Sequence, residues 1–170
     1  MSPQLHQLSQ AECIGRLGQG GVGRLAFQAP SGQQIILVNF AAHQDALVFR
    51  TTPYSQVGLH APGSDAALEV DELDSQHQTG WCVVARGPVH VVTSPAELTA
   101  IKHGHDPEPW AGGVRQLYLK LVWREVTGRR IEAEQPCPPQ APVVGGRQIP
   151  VAPDIAGTRA GNRTGQPPRW

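Results

Sequence analysis

Apolar and polar positions are patterned along the first 134 residues, and the period of that pattern changes at recognisable punctuation. Leu8, Cys13, Ile14 and Leu17 recur at helical spacing, and Ser9-Gln10-Ala11-Glu12 before them has the form of a capping box. A helix therefore opens the fold, and Gly18 ends it. Strand-like runs follow. Val22–Phe27 leads into the turn residues Ala29-Pro30-Ser31-Gly32, and Gln34–Phe40 is a continuous apolar run that reads as a buried central strand. Ala46–Arg50 comes after a loop carrying Asp45, and these three strands fit an antiparallel meander. Pro53–His60 reads as a short helix or turn, and Ala66–Asp71 as another strand.

The run Gly80–Thr93 is the longest predicted strand. Val83, Ala85, Val89 and Val91 form one apolar face, with a bend or bulge at Gly87-Pro88. Ser94-Pro95-Ala96-Glu97 starts a second helix that runs to about His103. Gly104–Gly113 is a loop, and Gln116–Val126 a last strand closed by Gly128. The pattern predicts a mainly β chain with flanking helices, its six antiparallel strands closing into a small barrel.

Beyond Glu134 the periodicity is lost, and composition explains why. Residues 135–170 hold eight of the 16 prolines and five of the 19 glycines, so the expected division is a domain over 1–134 and a disordered tail over 135–170. The formal charge of zero splits at the same point, into −3 for 1–134 and +3 for the tail. Neither part has the density of basic groups that nucleic-acid binding demands. No apolar run approaches the roughly 20 residues of a membrane span. Cys13, Cys82 and Cys137 are too few and too scattered for a disulfide framework or a metal set. With no basic and apolar leader at the N-terminus, the expected location is a reducing cytoplasm.

Candidate chemistry is sparse. Gly18-Gln19-Gly20-Gly21-Val22-Gly23 matches G-x-G-x-x-G, but it follows a helix and precedes a strand. Dinucleotide binding needs the reverse order, so the run reads as a helix end and a turn. His103-Gly104-His105-Asp106 has no partners at metal-ligand spacing and reads as a solvated loop. Asp71, Glu72 and Asp74 read as a solvated strand end. The run Arg50-Thr51-Thr52-Pro53-Tyr54-Ser55 differs, because a strand-end arginine feeding hydroxyls and a turn can cradle an anion. A strand-end arginine in a surface ion pair fits these residues equally well.

Taken in order, several strings resemble one known family. They are Glu12-Cys13 with Leu17, Val22-Gly23-Arg24-Leu25-Ala26-Phe27, Leu37-Val38-Asn39-Phe40, Val48-Phe49-Arg50-Thr51, Glu69-Val70-Asp71, Gly80-Trp81-Cys82-Val83-Val84-Ala85-Arg86-Gly87 and Val126-Thr127-Gly128-Arg129-Arg130-Ile131. The family is the pyridoxamine 5′-phosphate oxidase-like proteins, and more narrowly their bacterial branch of small flavin-binding split barrels. The resemblance covers about residues 5–132. It implies a six-stranded antiparallel split β-barrel that forms a homodimer with flavin sites at the subunit interface. FMN is the usual ligand there, with a deazaflavin coenzyme in some relatives.

By the same resemblance, Val38, Asn39 and Phe40 run beside the isoalloxazine ring. Arg50 and Thr51 hold the phosphate, and Thr52, Ser55 and Gln56 continue its cradle. Trp81 matches a tryptophan position of this branch, and Trp110 and Arg129 reach the cofactor across the dimer. Two departures stand out: Gln56 and Val57 lie where relatives carry a phosphate-binding lysine, and Leu37 replaces a proline. The implied activity is oxidoreduction of a small molecule, with the flavin doing the redox chemistry, so no acid–base pair need be visible. The alternative is a non-catalytic flavin or deazaflavin carrier, or a cofactor-free regulatory dimer.

Overall fold

The computed structural model describes residues 4–110 and 112–132. The expected tail over 135–170 and its boundary lie outside the described residues. Eight strands and three helices occur among those described: β1 (Gln4–Gln7), α1 (Gln10–Leu17), β2 (Gly21–Ala29), β3 (Gly32–His43), β4 (Ala46–Thr51), α2 (Gln56–His60), β5 (Asp65–Asp74), β6 (Thr79–Val91), α3 (Pro95–His103), β7 (Leu117–Val122) and β8 (Glu125–Glu132).

Six of these strands close a ring in the order β6-β5-β2-β3-β4-β7 and back to β6. They are the six that the hydrophobic pattern predicts, and all their pairings are antiparallel. The long strand β6 makes closure possible. Its first part, Gly80–Arg86, pairs with β8, and Val89–Val91 pairs with β7. The change of partner falls at Gly87-Pro88, where a bend is expected from sequence. A Cβ at Gly87 would strike the Val122 carbonyl, so only glycine lets the two strands approach at this corner.

Two expectations need correction. Gln116–Val126 is not one strand, because the chain breaks at Trp123-Arg124 and resumes as β8, which carries β1 on its far edge. Gly128 accordingly does not close a strand. It lies mid-β8, paired with Val83, beneath Leu8 and Cys13 of the helical layer. Sequence offers no signal for this break, since Trp123 continues the apolar alternation.

The second correction concerns β3. Its apolar run suggests a strand buried on both faces, yet Ile35 and Leu37 are 69% and 67% exposed. From Gly32 to Asn39 this strand pairs with β2 alone, and pairing with β4 begins only at Phe40. The ring is thus split along this half of β3.

The barrel is filled by Leu25, Phe27, Phe49, Leu68, Val83, Leu119 and Leu121, all at 0–1% exposure. Each such side chain contributes about 1.5–3 kcal/mol by leaving water. Helix α1 caps one side with Cys13 and Leu17, while Ile14 of the predicted stripe is 40% exposed. Its start is a complete capping box, with Ser9 accepting from the Glu12 amide and Glu12 accepting from the Ser9 amide at 2.8 Å. Helix α3 covers another side, where Ile101 packs with Val48, Val92 and Tyr118.

A candidate flavin-ring cavity beside Asn39

Helix α1 ends at Gly18, and the chain reaches β2 through Gly20 (φ 66°) and Gly21 (φ 128°). The glycine run is therefore a turn, as its order in the sequence implies. It crosses the end of β3 so closely that a Cβ on Gly20 would lie 3.1 Å from the Phe40 carbonyl oxygen. Opposite it, the segment after α3 folds over β3, and the Trp110 amide donates to Asn39 Oδ1 at 3.0 Å. Between turn, strand and segment lies a cavity of about 310 Å³. That is at the lower end of the roughly 300–1,000 Å³ typical of small-molecule sites. Asn39, Phe40 and Trp110 line it, together with His105, Asp106 and Glu108. Trp110 is 83% exposed, so its indole is open to a ligand or to another chain.

A larger depression of about 430 Å³ lies on the outer sheet face between β2, β5 and β6. Its charged groups are paired with one another, Arg86 with Glu125 at 3.3 Å and Arg124 with Asp65 at 3.5 Å. It contains none of the sequence-predicted site residues.

Arg50, at the end of β4, turns toward the same segment that carries Trp110. Its Nε donates to the Arg115 carbonyl at 3.1 Å, and its Nη1 lies 3.2 Å from Asp106 Oδ2. The guanidinium stacks over the Tyr118 ring, 4.9 Å from its centroid, and the Lys102 ammonium lies 5.6 Å from the same ring. Tyr118 hydroxyl donates to Asp106 at 3.0 Å. Burial first, and then this hydrogen bond to a carboxylate, push the Tyr118 phenol above its ordinary pKa. Asp106 thus ties Arg50 and Tyr118 together and also lines the cavity.

The Thr51 and Ser55 hydroxyl hydrogens are both committed within this corner. Ser55 donates to the Thr52 carbonyl at 2.9 Å and accepts from the Gly58 amide at 3.0 Å as the cap of α2. Its remaining lone pair lies 2.6 Å from Thr51 Oγ1, so Thr51 is the donor in that bond. Thr51 is buried and Gln56 is exposed at the first position of α2.

The predicted site residues therefore fall into three groups. Asn39 and Phe40 meet in the cavity, with Val38 buried beside them in β3. Arg50, Thr51, Thr52, Ser55 and Gln56 form a neighbouring corner, joined to the cavity through Asp106. Trp81 lies elsewhere, on β6 between Glu72 of β5 and Arg130 of β8. Its Nε1 donates to Glu72 at 3.2 Å, and the Arg16 guanidinium sits 4.2 Å above its ring. Arg129 lies near Trp81 in a small pocket on that same part of the sheet.

Sequence reasoning misses Asp106 and Tyr118. The reading of His103-Gly104-His105-Asp106 as solvated loop is wrong for Asp106, because only the β4–β7 register sets Tyr118 opposite Arg50. Among the described residues no His, Cys, Asp or Glu cluster has metal-binding geometry.

The cavity offers the Trp110 indole and the Asn39 amide to the ring part of a flavin, while the Phe40 side chain, 3% exposed, packs into the barrel core on the opposite face of β3 from Asn39. The cavity does not suit the phosphate part. Its titratable lining is Asp106, Glu108 and His105, with no Lys or Arg among them.

A closed antiparallel ring of six strands, open along one half of β3 and sharing β6 with a side sheet, is a split β-barrel. The family model described as pyridoxamine 5′-phosphate oxidase matches residues 9–130, and the chain belongs to that family. The structure of an FAD-binding protein from Mycobacterium smegmatis is similar at 22% identity and a TM-score of 0.58, covering 75% of this chain and 98% of that one. An FAD-binding protein from Mesorhizobium loti is similar at 17% identity and a TM-score of 0.61, covering 78% and 100%. An uncharacterised protein of Mycobacterium tuberculosis is 27% identical over 137 residues, 78% of this chain and 89% of its own length. No helix among the described residues is long and apolar enough to cross a membrane.

Proposed function

We propose that this protein binds a flavin by its isoalloxazine ring in the cavity beside Asn39, and uses it to oxidise or reduce a small molecule. The observation that carries the reading is the cavity itself, which combines the exposed Trp110 and the Asn39 amide within a pyridoxamine 5′-phosphate oxidase barrel. FAD-binding proteins of the same fold support a flavin as the ligand class. FMN is the first form to test, and a deazaflavin coenzyme the second. A bound flavin supplies the hydride or electron transfer. The chain's own residues position the ring: Asn39 fixes the facing segment through the Trp110 amide, and the exposed Trp110 offers an aromatic face.

The working unit is a homodimer. Ile35 and Leu37 form an exposed apolar strip on the half of β3 that pairs only with β2. That strip leads directly into Asn39, so a partner covering it also borders the cavity. A non-catalytic flavin or deazaflavin carrier is the second reading. It is favoured by Gln56 at the lysine position and by the pairing of Arg50 with Asp106.

The test is titration of the purified full chain with FMN, FAD and a deazaflavin, followed by absorbance and by light scattering for mass. About one flavin per subunit on a dimer is expected. Leu37→Arg is expected to yield monomers that lose the flavin, because the surface of water-exposed apolar groups would then carry a charge. A folded dimer that takes up none of these ligands at micromolar concentration refutes the proposal.

A further inference from the structure

Relatives of this fold are expected to hold the flavin phosphate with a strand-end arginine and a nearby lysine. We infer that this chain holds its flavin by the ring alone, so that its site takes riboflavin as well as it takes FMN. The inference rests on the flavin reading above and sharpens it to a ligand class, the uncharged flavin.

Three observations lead to it. The first is the state of Arg50. Its guanidinium faces the Asp106 carboxylate at 3.2 Å and gives its Nε to a backbone carbonyl, so its charge is cancelled within the protomer. Asp106 is itself held by the Tyr118 hydroxyl at 3.0 and 3.2 Å. A phosphate arriving at Arg50 would have to push away a carboxylate anchored by two partners, or sit beside it against like-charge repulsion.

The second is the supply of donors. The Thr51 and Ser55 hydroxyl hydrogens are already given to Ser55 and to the Thr52 carbonyl, and the Gly58 amide is given to Ser55. An anion at this corner would gain nothing from them without breaking the cap of α2. Gln56, where a lysine would stand, brings no charge, and Lys102, the cation beside this corner, is engaged with the Tyr118 ring at 5.6 Å.

The third is the lining of the cavity. Asp106 and Glu108 put two carboxylates on its wall, and Asn39 and Trp110, the groups open to a ring there, are neutral. A dianionic group drawn into or across this mouth is repelled, whereas a neutral ring system with a ribityl chain is not. The ribityl hydroxyls are suitable donors to those carboxylates.

Quenching of flavin fluorescence, with riboflavin and FMN titrated separately into the full chain at low salt, measures both affinities. The two dissociation constants are expected to agree within about threefold, and FMN binding about tenfold or more tighter than riboflavin overturns the inference. Asp106→Asn keeps an acceptor for Tyr118 while releasing the charge of Arg50. It should tighten FMN about tenfold, the worth of one charge-assisted hydrogen bond, and leave riboflavin unchanged. An unchanged FMN-to-riboflavin ratio in the folded variant shows that Asp106 is not what excludes phosphate.

Gln56→Lys, at an exposed position, is the second variant and stands whether or not Asp106→Asn folds. It should favour FMN over riboflavin, and a ratio that stays put counts against the phosphate corner lying there. Binding of neither flavin by the wild-type chain removes the flavin reading and this inference together. Tight FMN with weak riboflavin removes this inference alone.

Discussion

Gly128 is the point at which the side sheet meets helix α1, and replacing it with alanine tests how tightly the two are locked. A Cβ built there would lie 2.6 Å from Cys13 Sγ, 2.9 Å from Leu8 Cδ1 and 3.1 Å from Val83 Cγ2. Cys13 and Val83 are at 0% exposure, so neither can swing into solvent. Gly128 lacks a left-handed φ, so an alanine would by itself stabilise by about 0.4–1 kcal/mol through the unfolded chain. Overpacking a filled core costs about 1–3 kcal/mol, and two of the three contacts are with atoms that cannot retreat. The cost wins, and Gly128→Ala should lower stability by about 1–2 kcal/mol.

Urea unfolding followed by tryptophan fluorescence measures this difference. The decisive comparison is a cycle with Cys13→Ala, which removes the sulfur that makes the closest contact. Cys13→Ala alone should cost about 1–2 kcal/mol, because it empties a buried site. In the double variant the new methyl occupies space the sulfur left, so the two costs should fall short of adding by about 1 kcal/mol. Additivity within about 0.5 kcal/mol would mean that Gly128 and Cys13 do not share one packed volume. The packing argument would then fail.

Other outcomes follow from local chemistry. Ser9→Ala should cost about 1 kcal/mol by removing the N-cap of α1, read as a lower urea midpoint. The Ser9 hydroxyl and amide hold the Glu12 carboxyl below its usual range, so the cap is intact above the unfolded carboxylate pKa and weakens as pH falls through the lower folded value. Wild type and Glu12→Gln should differ in helicity above that window and converge as pH falls through it, and identical profiles refute the capping role. Tyr118, raised by burial and by Asp106, contributes stability that is present below the unfolded phenol value near 10 and lost as pH rises through the higher folded one. Tyr118→Phe should therefore flatten the alkaline loss of stability, and an unchanged alkaline limb shows that another group governs it.

The amino-acid sequence by itself determined the elements whose signals are local. The capping box of α1, the Pro95 start of α3, the turn at Pro30-Ser31 and the six ring strands all follow from side chains within a few residues of one another. The rejection of the glycine run as a nucleotide loop was equally local, because helix-then-strand order is readable along the chain. Asn39 and Phe40 are candidates only through the strings that resemble a known family, and both belong to the lining of one cavity.

What tertiary structure alone decided depends on register between distant segments. The split of Gln116–Val126 into two strands follows from β6 changing partners at Gly87, which no neighbour of Trp123 reveals. Ile35 and Leu37 look like core, and only the missing β4 partner along that half of β3 leaves them in solvent. Arg50 offered the same two readings, anion cradle or ion pair, until the fold brought Asp106 across 56 positions to meet it. Local patterns encode hydrogen bonds that close within a turn. Charges that cancel between distant segments do so only after the strands have chosen their neighbours.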